Sequence, residues 1–265
     1  MLDALYIGAT GMQAQQLNVD TIANNLANVN TTGFKKARIS FADLMMIGTR
    51  QLAMSKGPDG DGALLGGASP LGSGVGIANL SKMFDVGDIK KTDSALDVAI
   101  QGDGFLEVTM PDGSRAYTRG GTLKVNADGM LSTQAGYPLS PGITVPDNAQ
   151  NMVINPTGRI AVQVPGQSTP IEAGKLELVR FASPGLLSAQ GDNLYRTTES
   201  SGEPITGRAA EGSVGVLQQG FLEGSNVKMV EEMVNLMVAQ RAYEASVKVV
   251  QASDEMLGMV NNLRK

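Results

Sequence analysis

Cysteine, histidine and tryptophan are all absent from the 265 residues, and aromatic residues make up only 4% of them. Without cysteine there is no disulfide framework, no thiol nucleophile and no thiolate metal site. Without histidine there is no imidazole relay poised near neutral pH. A catalyst built from this chain would work with Ser, Thr, Tyr, Lys, Arg and carboxylates alone. The shortage of aromatics predicts a core of Val, Ile, Leu, Met and Ala. No stretch approaches the ~18 consecutive apolar residues of a membrane-spanning helix. The opening residues, MLDALYIGATGMQ, place Asp3 where a secretory signal carries positive charge and lack an unbroken apolar run before a cleavage site. If the protein leaves the cytoplasm, the expectation is a route that reads no cleavable signal. A net charge of −5 argues against general nucleic-acid binding, which needs clustered cations. The one basic cluster, Lys35, Lys36 and Arg38, reads as a solvated charge run.

What is present is a chain of 42% hydrophobic residues with 33 Gly and 14 Met, too apolar to be disordered. In the first segment Leu5, Met12, Val19 and Leu26 recur every seven residues, with Ile22 and Val29 on the alternate turn. That spacing lays a narrow apolar stripe along one helix face, as in a coiled-coil seam. The helix is expected to stop near Asn30, with Gly33 suited to a left-handed cap. Gly8, Gly11 and Gln15 interrupt the stripe, so its first turns are either weak or packed tightly on a neighbour.

The last segment keeps the same period through Met229, Leu236, Tyr243, Val250 and Leu257, with Met233 beside them. Ser225 or Asn226 is placed to cap it, and Glu231 and Glu232 sit near the positive end of its dipole. From Val227 to Asn262 there is no Pro, which predicts a helix roughly 50 Å long. Burying the seam side chains contributes on the order of 8–15 kcal/mol at ~1.5–3 each. Ordering about 36 residues costs at least ~1 kcal/mol apiece. The stripe cannot hold this helix alone, so it needs a partner: the first helix, from the same chain or from neighbours. Both ends are expected to be disordered in the free monomer and to fold on assembly.

Residues 48 to 76 are Gly-rich and carry Pro58 and Pro70, which reads as an extended connection. From Ile77 to about Phe221, short alternating strands are separated by turn signals at Pro111-Asp112-Gly113, Asp128-Gly129 and Thr157-Gly158. VNADGML (125 to 131) recurs as INPTGRI (154 to 160), a duplicated hairpin. Gly57 to Gly62 resembles a calcium loop only superficially, because Leu64 and Pro70 occupy the places of its essential Gly and Glu. Carboxylates such as Asp103 and Glu107 offer a pair for glycan hydrolysis, but 26 acidic residues make such pairs common by chance. The fold class expected is α+β: N- and C-terminal helices forming a coiled-coil assembly domain around an all-β middle. The domains are 1–33 (assembly helix), 34–76 (extended Gly-rich connection), 77–221 (outer all-β domain) and 222–265 (assembly helix).

DTIANNLANVNTTGFKK (20 to 36) closely resembles the N-terminal signature of the bacterial flagellar rod and hook family, with Asn24, Asn25, Asn28, Gly33 and Phe34 as its motif residues. LDVAIQGDGFLEV (96 to 108) and YTRGGTLKVNADGMLSTQAGYPL (117 to 139) resemble the family's β core. GDNLYRTTESSGEP (191 to 204) resembles its distal-rod group, and GFLEGSNVKMVEEMVNLMVAQRAYEASVKVVQASDEML (220 to 257), with Asn226, resembles the shared C-terminal helix. The resemblance implies a non-enzymatic subunit of the distal rod, without cofactor, metal, nucleic acid or small-molecule substrate. Copies would polymerise helically into the drive shaft between motor and hook, with the terminal helices lining an inner tube. Implied partners are the chain itself, proximal rod proteins, hook protein, the surrounding ring proteins and the flagellar type III export apparatus. The implied location is the basal body, in the periplasm and through the outer-membrane region. Residues 46 to 71 match an extra stretch that stiffens distal rods, but here they are so rich in Gly that rigidity must come from neighbours. The alternatives are a proximal rod or hook subunit, or a secreted all-β adhesin-like module.

Overall fold

The first helix, α1 (Leu2–Ala27), carries Asp3 in its opening turn, where the helix dipole favours a carboxylate. It ends before the expected Asn30. The Asn28 side-chain amide donates to the Asn24 carbonyl at 2.9 Å and the Thr31 hydroxyl donates to Asn28 Oδ1 at 3.1 Å. The backbone closes with the tighter i to i+3 bonds Asn28 N–H to Asn25 O and Thr31 N–H to Asn28 O, and the Asn28 and Thr31 side chains add to this turn. The last helix, α2 (Met229–Leu263), opens with Glu231 and Glu232 and runs 35 residues, close to its expected span. The structure, a computed structural model, describes residues 2–46, 71–146, 148–149, 151–165, 169–210 and 214–263.

Between the helices lie β1 (Ala37–Met46), β2 (Leu71–Lys82), β3 (Ile89–Lys91), β4 (Val98–Gln101), β5 (Phe105–Thr109) and β6 (Arg115–Thr118). There follow β7 (Leu123–Val125), β8 (Leu131–Thr133), β9 (Leu139–Ser140), β10 (Asn151–Ile154), β11 (Arg159–Gln163) and β12 (Ile171–Lys175). The series closes with β13 (Glu177–Arg180), β14 (Ser188–Gly191), β15 (Leu194–Arg196), β16 (Ile205–Arg208), β17 (Val216–Gln219) and β18 (Phe221–Glu223). The overall class is α+β. β1 pairs with β2, so both flanks of the Gly-rich connection are strands; residues 47–70, including the calcium-loop look-alike, lie outside the described residues.

The described residues divide into two compact units. One holds residues from 1–23, 39–80 and 233–265; the other holds 24–38 and 81–232. The second unit is built on a seven-stranded sheet ordered β14-β15-β6-β5-β13-β16, with β9 also on β5. Strand alternation sends successive side chains to opposite faces. On one face Leu106, Val108, Ala116, Leu178 and Leu194 join Ile143, Ile160 and Leu217 in an aliphatic core. On the other, Phe105, Tyr117, Val179, Phe181 and Tyr195 cluster with Phe84, and their rings meet edge to face at centroid distances such as 4.8 Å for Tyr117 and Phe181. Five of the eleven aromatics are therefore gathered in one core, while Tyr6, Phe41 and Tyr243 stand exposed. Methionine supplies none of the fully buried core among the described residues, contrary to expectation, and five of its side chains stand exposed on α2.

All three expected turns join paired strands: β5–β6, β7–β8 and β10–β11. The duplicated motif is a structural repeat. Asn126 N–H donates to Met130 O and Gly129 N–H to Asn126 O, and the same bonds link Asn155 to Arg159 and Gly158 to Asn155.

Candidate assembly site

In the first unit, α1 and α2 run antiparallel and meet through small residues. A Cβ placed on Gly8 would lie 2.6 Å from Val250 Cγ2, and one on Gly11 would lie 3.4 Å from Ser246 Oγ. The glycines that interrupt the stripe are thus the points of closest helix approach, and the tight-packing alternative holds. Ala14, Ala239 and Ser253 are buried as well. The seam hydroxyls are satisfied inside their own helix: Ser246 Oγ donates to Ala242 O and Ser253 Oγ to Val249 O. Gly11 and Asn18 lie one position before Met12 and Val19 of the stripe, whereas Gly8, Gln15 and Ile22 follow Leu5, Met12 and Val19 by three.

The twelve residues expected at the assembly interface fall into three groups. Ile22 is buried; Leu5, Met12, Val19, Leu26, Val29, Leu236, Val250 and Leu257 are half-buried; Met229, Met233 and Tyr243 are exposed. Val250 is already engaged by Gly8 of the same chain. The most exposed apolar side chains on α2 were not on the seven-residue stripe: Val230 at 76%, Val238 at 63%, Met259 at 59% and Met237 at 57%. Their signal was available, because a helix with apolar residues on more than one face needs more than one covering surface.

The motif residues gather elsewhere, in the second unit, where residues 24–38 meet 223–232. Gly33 adopts φ +69° and donates its N–H to Glu223 O at 2.8 Å, so its left-handed conformation serves this contact rather than a helix cap. A Cβ there would press on the Gly120 backbone at 3.2 Å. Phe34 is buried beneath the Lys82 ammonium, 4.4 Å from the ring centroid. Asn193 Nδ2 donates to Thr32 O at 3.0 Å, joining two of the sequence motifs. Asn24 and Asn28 line an open cleft beside Lys82, Tyr137 and Asn193.

At the centre of this junction is a buried three-charge group. Lys35 Nζ donates to Glu223 Oε1 and to Asp85 O, both at 2.6 Å, and Arg119 Nε donates to Glu223 Oε2 at 2.8 Å. The remaining guanidinium N–H groups reach the carbonyls of Gly104, Ile100 and Gly102, and Gly87 N–H donates to Glu223 Oε1 at 2.9 Å. The three side chains are 0–1% exposed. Burial pushes the Lys35 ammonium below its ordinary pKa, and the Glu223 carboxylate opposes that shift. Two cations share one anion, and backbone carbonyls take the excess positive charge. Lys35 is therefore not part of a solvated run: its partner is 188 residues away, and nothing in the local sequence announces it.

Glu107, one of the carboxylates considered for catalysis, is buried and 3.5 Å from Arg115, while Asp103 is exposed. The pair has the character of a sheet-surface ion pair and a loop residue.

Comparison with known proteins bears on the family. Residues 5–35 match the family described as flagella basal body rod protein, and residues 99–162 match the flagellar hook protein FlgE/F/G D1 domain. Residues 218–263 match the flagellar basal body rod FlgEFG protein C-terminal family. The chain is 45% identical to the flagellar basal-body rod protein FlgG of Borreliella burgdorferi, over 100% of both chains. It is 42% identical to FlgG of Buchnera aphidicola subsp. Schizaphis graminum, over 99% of this chain and 100% of that one. Against the flagellar basal-body rod protein FlgF of Caulobacter vibrioides the identity is 34%, over 97% and 95%. This chain belongs to the flagellar rod and hook family, as a basal-body rod subunit of the FlgG, distal-rod type.

Proposed function

We propose that copies of this chain stack helically into the distal rod, with paired terminal helices as a coiled-coil inner layer and the β unit outside, and that the shaft carries torque to the hook. Its role is mechanical rather than catalytic. The observation that carries the reading is the apolar surface left on α2 after the seam with α1 is closed, led by Val230, Met237 and Val238. A second copy is the occupant, because the family's members are rod subunits and the exposed methionines continue along the same helix that already packs on α1. Flexible thioether side chains suit quasi-equivalent contacts between identical neighbours.

The remaining partners follow from this place in the flagellum: proximal rod proteins below, hook protein above, ring proteins around the shaft and the flagellar type III apparatus during export. The shaft would cross the periplasm and the outer-membrane region. Residues 41 to 224 hold 13 basic and 19 acidic side chains, a net of −6, whereas residues 225 to 265 balance 5 against 5. A negative outer surface complements a basic ring lining. The 46 to 71 stretch would gain its rigidity from neighbouring copies.

Electron microscopy of the purified chain at high concentration tests the reading. Straight tubes are expected. Curved tubes would move the assignment to the hook, and persistent monomers with affinity for a ligand would favour an adhesin-like module.

A further inference from the structure

The junction in the second unit is closed by side chains that stand in for backbone. Asn226 Oδ1 accepts the Lys36 N–H at 2.8 Å and its Nδ2 donates to Met83 O at 2.8 Å, while Met83 N–H donates to Lys36 O at 2.9 Å. Asn25 treats Ala37 the same way: its Oδ1 accepts the Ala37 N–H at 2.8 Å and its Nδ2 donates to Ala37 O at 2.9 Å. The same Nδ2 reaches Glu232 Oε2 at 3.3 Å, and both Asn25 and Glu232 are buried. With Glu223 holding Lys35, three side chains of the C-terminal approach secure residues 25–37.

We propose that this clasp is folded in the free chain and is the nucleus from which α1 and α2 grow in register when the subunit assembles. The assembly half of this proposal rests on the rod reading; the ordered clasp does not. Two costs stand against a helix pair that forms late. Starting a helix is unfavourable, with a nucleation factor of about 10⁻³. Choosing a register is hard along a seam of Gly, Ala and Ser, whose side chains have little shape to select one alignment. A buried Asn in a helix seam is a known way to specify register. Asn25 lies in the last full turn of α1 and Glu232 in the first turn of α2, so their contact supplies both nucleus and alignment. Fourteen residues down α1 from Asn25 and fourteen up α2 from Glu232, the facing pair is Gly11 and Ser246, which are in contact in the first unit. The clasp register and the seam register agree. A shift of four residues along α2 would place Ser246 or Asp254 opposite Gly8 in place of Val250, so the Gly8–Val250 contact belongs to this register alone.

Amide hydrogen exchange on the full chain, held dilute enough to remain unassembled, reads the first half directly. The amides of Gly33, Lys36, Ala37, Met83, Gly87 and Gly224 are all donors in the clasp or beside it. They are expected to be protected at least about tenfold more than amides across residues 5–19 and 236–257. Equal exchange in both sets overturns the clasp, and equally strong protection of both shows that the helices need no nucleus. The second half is read from the lag before tubes form. Asn25→Ala and Asn226→Ala each remove one backbone substitute and leave Lys35, Arg119 and Glu223 in place, with Asn226→Ala also removing a 3.3 Å hydrogen bond to the Asp85 carbonyl that Lys35 shares. Each is expected to expose the Lys36 and Ala37 amides, leave Leu131 and Leu176 protected, and lengthen the lag about tenfold. Loss of clasp protection with an unchanged lag overturns the nucleation role. Failure of the unaltered chain to form tubes counts against the rod reading, while the exchange pattern still decides the clasp.

Discussion

Gly8→Ala and Gly258→Ala make the same chemical change on two exposed-to-seam extremes of the helix pair, and they should act with opposite signs. In a helix interior Ala is favoured over Gly by about 0.8–1.0 kcal/mol. At Gly258 nothing lies within 4 Å of the new methyl, so the full gain is realised. At Gly8 the methyl would stand 2.6 Å from Val250 Cγ2. Valine in a helix has essentially one rotamer and cannot turn aside, so the helices must separate. Overpacking of this kind costs about 1–3 kcal/mol, which exceeds the propensity gain over most of its range. The assay is the critical concentration for assembly, where 1 kcal/mol corresponds to a factor of about five. Gly258→Ala should lower it by about that factor, and Gly8→Ala should raise it by up to about the square of that factor. Val250→Ala in the Gly8→Ala background should recover much of the loss, giving a coupling energy of about 0.5–3 kcal/mol in a double-mutant cycle. Equal stabilisation by the two alanines would refute the close approach of α1 and α2 and the role of glycine in it.

Met237→Asp or Val238→Asp places a carboxylate on the outward face of α2 and should abolish tubes, with near-ultraviolet circular dichroism of the aromatic core unchanged; normal tubes would move the interface elsewhere. Gly33→Ala forces a side chain into φ +69° against the Gly120 backbone, and should lower the unfolding free energy by about 1–3 kcal/mol in urea melts. Tyr195 is pushed up to about 12 by burial, against an ordinary value of 10.0. The folded state therefore holds the phenol proton more tightly, so its contribution is complete below pH 10 and is lost as pH rises toward 12. Tyr195→Phe should flatten that alkaline loss, by on the order of 1.4 kcal/mol per pH unit across the window; an unchanged slope would place the titration at another group. If the acidic surface of residues 41 to 224 meets a basic ring, binding to ring protein should weaken with added salt, and a flat response removes that contact.

The helices and hairpins could be read from residues close together in sequence. The seven-residue stripes on α1 and α2, the turns at Gly113, Gly129 and Gly158, and the repeated hairpin are local patterns, and each has a local cause in backbone geometry. The stripe left open whether Val250 meets the first helix of its own chain or of a neighbour, and Gly8 of the same chain lies against it, while the exposed Val230, Met237 and Val238 lie off the stripe. Periodicity reports which residues share a face but not which face is already covered. Methionine was expected inside because it is apolar, yet no described methionine is fully buried: five stand exposed on α2, and Met110 and Met152 only flank the aliphatic core.

The charged junction shows the boundary most plainly. Lys35 sits in a basic run, Glu223 ends a short strand, and Arg119 follows another, so each reads as an ordinary surface residue. Only the tertiary structure brings them together, across 188 and 104 residues. The composition alone had settled what this protein lacks chemically, and its motifs had settled its family. Which side chains bind its two ends together was decided by desolvation. A charge can be buried only where all its partners arrive at once, and that condition belongs to the folded chain rather than to any segment of it.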